Sequence, residues 1–349
     1  MRVPNWIGDA VLCEPALRAL KGLYPSAEII ALAKPRVAPV FENNPVLSGI
    51  MVYDVESTHA GYGGLLRLSR RLRAEKFDMA VLFQNAFEAA LIAYLARIPE
   101  RIGYARDLRT PLLTGRVELT GEIKKEHQVF YYLNIIKELG GKTPVLSPYP
   151  PTCAEKEIFP EIRLRDAEIR GAQGFLENKG FGGGEFLFGV SPGASYGPAK
   201  RWGVGGFREV IERLSKDTDS AAVIFGGKDD EEVCRELSGN LKVRHLNLAG
   251  RTSLREFIAL AARMRFFITN DSGPMHVAAA LGVPTVAIFG STEPMMTGPL
   301  GKRTEVIRKK VECSPCFKKE CPYGHYKCMS AINPDEVYAA SRAFFTEAA

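Results

Sequence analysis

Two hydrophobic patterns alternate along this chain. Short β-rich apolar runs occupy residues 28–33, 50–53 and 79–83, and between them residues 10–23 and 65–75 carry apolar positions at helical spacing. The second half repeats the rhythm, with strands expected at 186–191, 221–225, near 244–248, 266–269 and 285–289. The intervening helices are expected at 206–216, 230–238, 254–263 and 273–281. Alternating βα units predict parallel sheets covered by helices on both faces. Residues 144–160 hold five prolines and no periodic run, and 180–184 are rich in glycine. These breaks predict two doubly wound domains joined between about residues 145 and 185. The opening is short: only Met1, Arg2 and Val3 precede the turn at Pro4. A first strand normally has about five residues, so the pattern predicts a start lying upstream of Met1.

Composition narrows the class. A length of 349 residues suits two domains, and 46% hydrophobic with 25% charged residues excludes disordered, collagen-like and coiled-coil chains. The longest apolar run, 277–290, is interrupted by Gly282 and Pro284 and falls short of the roughly 20 residues of a membrane span. The N-terminus has no charged region followed by an apolar one, so no secretory signal is read. Seven cysteines, an odd number, argue against a disulfide framework. A net charge of +6 fits an acidic partner without choosing among phosphates, nucleic acid and lipid headgroups.

The strongest chemical signal is the run from Arg265 to Gly282, which reads as a buried strand, a tight turn and a helix. Asp271 or Ser272 can cap that helix and Pro274 suits its first turn. The free N–H groups and positive dipole end can hold a diphosphate, and Gly273 permits close backbone approach. Asp271 would repel a phosphate and suits sugar hydroxyls better. His276, one turn after Ser272, can donate to either. A capped turn with a core histidine would show the same residues. Upstream, Phe188–Trp202 is a strand entering a small-residue loop that delivers Lys200 and Arg201, an anion-binding pattern without the Walker A ending. A surface loop with solvated charges is the alternative. The acids of 229–232 open a helix, where capping is their ordinary role and binding of a ribose diol the alternative. Asp9 falls where a turn enters the first helix, a place for a general base or a plain cap. Arg101, Arg106 and Arg109 form a candidate grip for an acidic ligand, whereas Arg67, Arg70, Arg71 and Arg73 read as a solvated helix face. Cys313, Cys316, Cys321 and Cys328 have the spacing C-x2-C-x4-C-x6-C. The first pair has zinc-knuckle spacing, and four thiolates can close a structural zinc site, although the later spacings match no standard zinc ribbon.

Together these segments resemble the lipopolysaccharide heptosyltransferases of glycosyltransferase family 9. The residues that carry the likeness are Pro4-Asn-Trp-Ile-Gly-Asp9, Arg101-Ile-Gly-Tyr104, Pro198-Ala-Lys-Arg-Trp202, Asn270-Asp-Ser-Gly-Pro-Met-His276 and the cysteine cluster. The opening resembles the type II enzymes rather than type I. The resemblance spans nearly the whole chain and implies a GT-B fold with two Rossmann-like domains. Residues 1–165 would bind the acceptor and 166–330 the nucleotide sugar, with 331–349 forming a helix that crosses back to the first domain. It implies that Asp9 is the catalytic base and Lys200 the diphosphate contact. Ser195 and Tyr196 fall where type I enzymes carry threonines, Tyr196 departing from a small hydroxyl. Asp230 would hold the ribose, with Asp229 or Glu231 as alternatives, and Thr252 would meet adenine. Asp271, Ser272, Gly273 and His276 would contact donor sugar and phosphate. The implied reaction is an inverting transfer of L-glycero-D-manno-heptose from ADP-heptose to the first heptose of the lipopolysaccharide inner core. No cofactor would be required, and structural zinc would be optional. The acceptor would be a lipid A–Kdo–heptose, met in the cytoplasm or peripherally on the inner membrane, with no nucleic acid involved. Alternatives are a family member with another acceptor, a GT-B nucleotide-sugar epimerase, and a zinc-dependent nucleic-acid-binding protein.

Overall fold

The computed structural model describes residues 1–140, 159–182 and 185–346. Most of the proline-rich stretch, together with Gly183 and Gly184, lies outside the described residues. The chain divides into two compact units, whose described parts are 1–140 with 159–163, and 164–346 without 183–184.

The first unit contains β1 (Ile30–Ala33), β2 (Gly49–Val52), β3 (Met79–Val81), β4 (Glu100–Tyr104) and β5 (Gly115–Val117), with parallel pairings β1–β2 and β3–β4–β5. Arg2 links the two sets through parallel bridges to Leu32 and Leu82. The opening segment is thus a one-residue strand lying between β1 and β3, the central place in a doubly wound sheet. Helices α1 (Ile7–Leu12), α2 (Glu14–Leu23), α3 (Gly61–Ala74), α4 (Phe87–Leu95) and α5 (Gln128–Glu138) complete this unit. The single helix expected over 10–23 is broken at Cys13, because Pro15 has no N–H to return to Val11. Arg67, Arg70, Arg71 and Arg73 do lie exposed along α3. Glu14 is buried, pairs with Arg18 at 3.0 Å and accepts the Glu161 N–H at 3.1 Å, which fastens 159–163 to this unit.

The second unit has six parallel strands: β6 (Phe186–Ser191), β7 (Ser220–Ile224), β8 (His245–Asn247), β9 (Phe267–Asn270), β10 (Thr285–Phe289) and β11 (Thr304–Arg308). Their order, β11-β10-β9-β6-β7-β8, is the doubly wound order, with its switch point between β6 and β9. Strands β7, β9 and β10 are buried along their whole length, as expected of a parallel sheet covered on both faces. The covering helices are α6 (Asp166–Asn178), α7 (Val204–Thr218), α8 (Glu231–Gly239), α9 (Leu254–Ala261), α10 (Gly273–Ala280), α11 (Pro294–Thr297), α12 (Lys327–Ser330) and α13 (Pro334–Thr346). The last of these packs on α7, β10 and β11 of its own unit, where Tyr338 donates to Asp217. Among the described residues, no helix is long and apolar enough to cross a membrane.

Helices α6 and α9 are tied by Arg255, whose guanidinium meets Glu168 at 2.5 and 3.0 Å. That bond is the main reason the Glu168 carboxyl is depressed from 4.5 to about 2. A lowered acid pKa contributes stability that is complete above about 4.5 and lost as pH falls toward 2. Glu168→Gln should lower stability by about 1 kcal/mol at neutral pH. It should also flatten the acid limb of the stability curve below pH 4.5, measured by denaturant unfolding across pH.

Candidate active site

The switch point of the second unit is crossed by a buried ion pair. The loop after β6 carries Lys200, the turn after β9 carries Asp271, and Lys200 Nζ lies 2.5 Å from Asp271 Oδ2. Their side chains are only 12% and 3% exposed. Thr292, in the loop after β10, also donates to Asp271 Oδ2. Pairing explains how a carboxylate sits beside an anion-binding turn: Lys200 offsets its charge and Thr292 satisfies an oxygen lone pair. Tyr196 lies under the ammonium, with Lys200 Nζ 4.8 Å from the ring centroid. Its hydroxyl donates to the Phe317 carbonyl at 2.7 Å. The departure from a small hydroxyl thus has a structural consequence, since Tyr196 reaches the cysteine-rich segment.

Asn270 sets the spacing of the two loops. Its Nδ2 donates to Pro192 O at 2.7 Å, and its Oδ1 accepts the Trp202 N–H at 3.1 Å. In the sequence Asn270 stands out only as part of a run. The available signal was a polar amide ending a strand of otherwise buried residues. Ser272 occupies the N-cap of α10 without a side-chain cap bond, its hydroxyl donating instead to Asn270 O at 3.2 Å. The start of α10 at Gly273 is therefore not capped by its own N-cap side chain. His276 is buried one turn further along α10.

Asp230 lies in the loop after β7, where Oδ2 accepts the Gly227 N–H at 3.2 Å. Burial raises its pKa, opposed by that hydrogen bond and by the charge of Arg201. Among the described residues Oδ1 is buried with no hydrogen-bond partner, as is Arg201 Nε, leaving a polar acceptor and a donor available to a ligand. Asp229 and Glu231 flank it, Glu231 beginning α8. The loop reaches the β6 edge so closely that a Cβ on Gly193 would stand 2.1 Å from Asp230 Oδ1. Gly193→Ala should therefore cost about 1–3 kcal/mol through displacement of that carboxylate, measured by denaturant unfolding. Ser195 is exposed in the loop after β6, and Thr252 is half-buried in the loop after β8. All of these residues except His276 stand at the carboxyl edge of one sheet, where open α/β sheets bind ligands.

Asp9 belongs to the first unit. It sits in the first turn of α1, where a negative charge is favoured by the helix dipole. Its charge acts on its neighbours Cys13 and Tyr132: both titrate well above their ordinary values, mainly through burial, and Asp9 adds to the rise. The turn before it is braced by Arg2, which donates to Asn5 Oδ1 at 2.7 Å, while Asn5 N–H donates to Gln84 at 3.0 Å. The one-residue opening strand therefore still gives the turn before Asp9 a fixed base. Trp6 beside it is 56% exposed, with Arg36 4.6 Å above its ring.

The expected grip of three arginines is revised. Arg109 is fully buried and donates to Tyr104 O, Gln84 O and Asn85 Oδ1, which makes it an internal post. Arg101 donates to the carbonyls of Leu112, Ile98 and Pro99, closing its own loop. Arg106 does line a cavity of about 460 Å³, together with Asp107, Arg116, Glu118 and Lys124. The four cluster cysteines are free thiols after β11, and they line one small cavity.

Two doubly wound units, the second with a buried ion pair and a helix start at its switch point, define the class of α/β proteins that bind nucleotide-linked ligands at the carboxyl edge of the sheet. Comparison with known proteins makes that assignment specific. Residues 65–327 match glycosyltransferase family 9 (heptosyltransferase), and the chain belongs to that family. It is 28% identical to lipopolysaccharide heptosyltransferase 2 of Escherichia coli K12 over 340 residues, covering 96% of this chain and 94% of that one. It is 30% identical to lipooligosaccharide heptosyltransferase 2 of Haemophilus influenzae over 341 residues, covering 95% and 94%. The solved E. coli ADP-heptose lps heptosyltransferase II superposes with a TM-score of 0.83 at 27% identity, covering 100% of this chain and 98% of that one. The protein is accordingly a glycosyltransferase with the GT-B fold.

Proposed function

We propose that this chain transfers L-glycero-D-manno-heptose from ADP-heptose to the first heptose of the lipopolysaccharide inner core, with inversion. The observation that carries the reading is the full-length likeness to heptosyltransferase 2 enzymes of several organisms. The buried Lys200–Asp271 pair at the switch point supports it. Asp9 takes the proton of the acceptor hydroxyl as that oxygen attacks the anomeric carbon. Lys200 and the start of α10 stabilise charge developing on the departing diphosphate. Asp271 holds Lys200 in place and presents a carboxylate edge to sugar hydroxyls. Asp230, with its unpartnered Oδ1, binds the ribose, and Thr252 lies near the adenine. Ser195, Tyr196, Ser272, Gly273 and His276 complete the donor site. Arg106 at its cavity suits an anionic lipid A–Kdo–heptose acceptor, met from the cytoplasm at the inner-membrane face.

The test is a transfer assay with ADP-heptose and a core acceptor that ends in one heptose, read by mass spectrometry. The reading expects a gain of one heptose per acceptor and no consumption of ADP-heptose when acceptor is omitted. Consumption without acceptor would mark an epimerase. Because protein cations carry the diphosphate charge in this scheme, leaving Mg²⁺ and Mn²⁺ out of the buffer should not change the rate.

A further inference from the structure

The cysteine-rich segment, residues 309–326, contains no helix or strand, yet it is fastened to the donor loops at several points. Cys316 and Phe317 donate their N–H groups to Ser291 O at 3.1 and 2.8 Å, and Ser314 Oγ donates to Gly290 O at 2.6 Å. From the other side, Ala199 N–H donates to Lys319 O at 3.0 Å and Tyr196 to Phe317 O at 2.7 Å. A Cβ on Gly197 would come within 2.4 Å of Lys319 O. The segment thus touches the loop carrying Lys200 and the loop carrying Thr292. An irregular segment this long inside a compact unit needs an internal anchor.

We propose that Cys313, Cys316, Cys321 and Cys328 bind one soft divalent ion of the zinc or iron(II) class, and that this ion fixes the loop bearing Tyr196 and Lys200. The four thiols line a single cavity of about 10 Å³, close to the space of one small occupant. Cys321 Sγ accepts the Tyr326 N–H at 3.4 Å and is faced by the amides of Tyr323, Gly324 and His325, an arrangement that orients a thiolate ligand. His325 Nδ1 already accepts the Lys327 N–H at 3.1 Å, which favours the all-sulfur set. A tetrahedral site of four sulfurs selects zinc or iron. Among the described residues, no three His, Cys, Asp or Glu side chains stand close enough together, as placed, to hold a metal ion, so the site must close on binding. Each sulfur is placed by a single torsion, and a rotamer change moves it by about 3 Å, so closure can proceed without refolding the backbone. Binding releases the thiol protons and leaves a net negative centre, in a segment where Lys309, Lys310, Lys318 and Lys319 outnumber Glu312 and Glu320.

The test uses the full chain purified without oxygen. Elemental analysis should find about one zinc or iron per chain, and metal-free chain titrated with Co²⁺ should develop sulfur-to-cobalt charge-transfer and tetrahedral ligand-field bands. The double substitution Cys313→Ser/Cys316→Ser should abolish both signals. It should also raise the Kd for ADP by about tenfold; this arm rests on the donor-site reading, whereas the metal readouts do not. Freely reactive cluster thiols, no bound ion and no cobalt bands would overturn the site. Equal ADP affinity with and without the ion would overturn its link to the loop, and failure of the wild-type chain to bind ADP would instead count against the donor-site reading.

Discussion

Replacing Asp9 by alanine should lower heptosyl turnover by about 10²–10⁴-fold, the usual contribution of a positioned general base. ADP affinity should stay within about twofold, because Asp9 belongs to the unit that does not carry the nucleotide loops. The turn that carries Asp9 is braced by Arg2, Asn5 and Gln84. Asp9→Asn, which keeps the shape and removes the base, should lose nearly as much activity as alanine. Steady-state kinetics beside an ADP titration and a thermal melt would check all three statements. Turnover that survives either substitution would reduce Asp9 to a helix-start residue.

Replacing Lys200 by alanine should damage both stability and catalysis. The ammonium sits 2.5 Å from Asp271 in a site where both side chains are mostly buried. Its removal leaves a carboxylate without its counter-charge, which typically costs about 3–5 kcal/mol. It also removes charge stabilisation of the departing diphosphate, for which a loss of about 10²–10³ in turnover is expected. The two effects can be separated. Lys200→Met with Asp271→Asn removes both charges, so thermal stability should largely return while turnover should not. A single Lys200→Ala variant that melts like the wild type would show that the pair is open to solvent.

The doubly wound fold was legible because its strands in the second unit are long apolar runs ending at glycine or polar turns. Strands β6 and β10 fall at the expected boundaries. Strands β4 and β5 were not legible as strands, since Glu100, Arg101 and Arg116 interrupt their apolar pattern. Arg101 and Arg109 looked like ligand contacts, yet a chain alone does not show that a guanidinium turns inward to bind carbonyls. Lys200 and Asp271 were each readable as single charges. Their pairing was not, because the two residues follow strands β6 and β9, which are distant in sequence and adjacent only in the sheet order. The link from Tyr196 to the cysteine segment was hidden for the same reason: it depends on the fold bringing residues 196 and 317 together.

The account is tested most directly by the stereochemistry of the product. The wild-type chain would be incubated with ADP-heptose and an inner-core acceptor ending in one heptose, and the isolated glycan examined by NMR. The prediction is one added heptose on that first heptose, with the anomeric configuration opposite to that of the donor. Transfer with retained configuration, or no transfer to that acceptor, would contradict direct attack by a hydroxyl that Asp9 deprotonates.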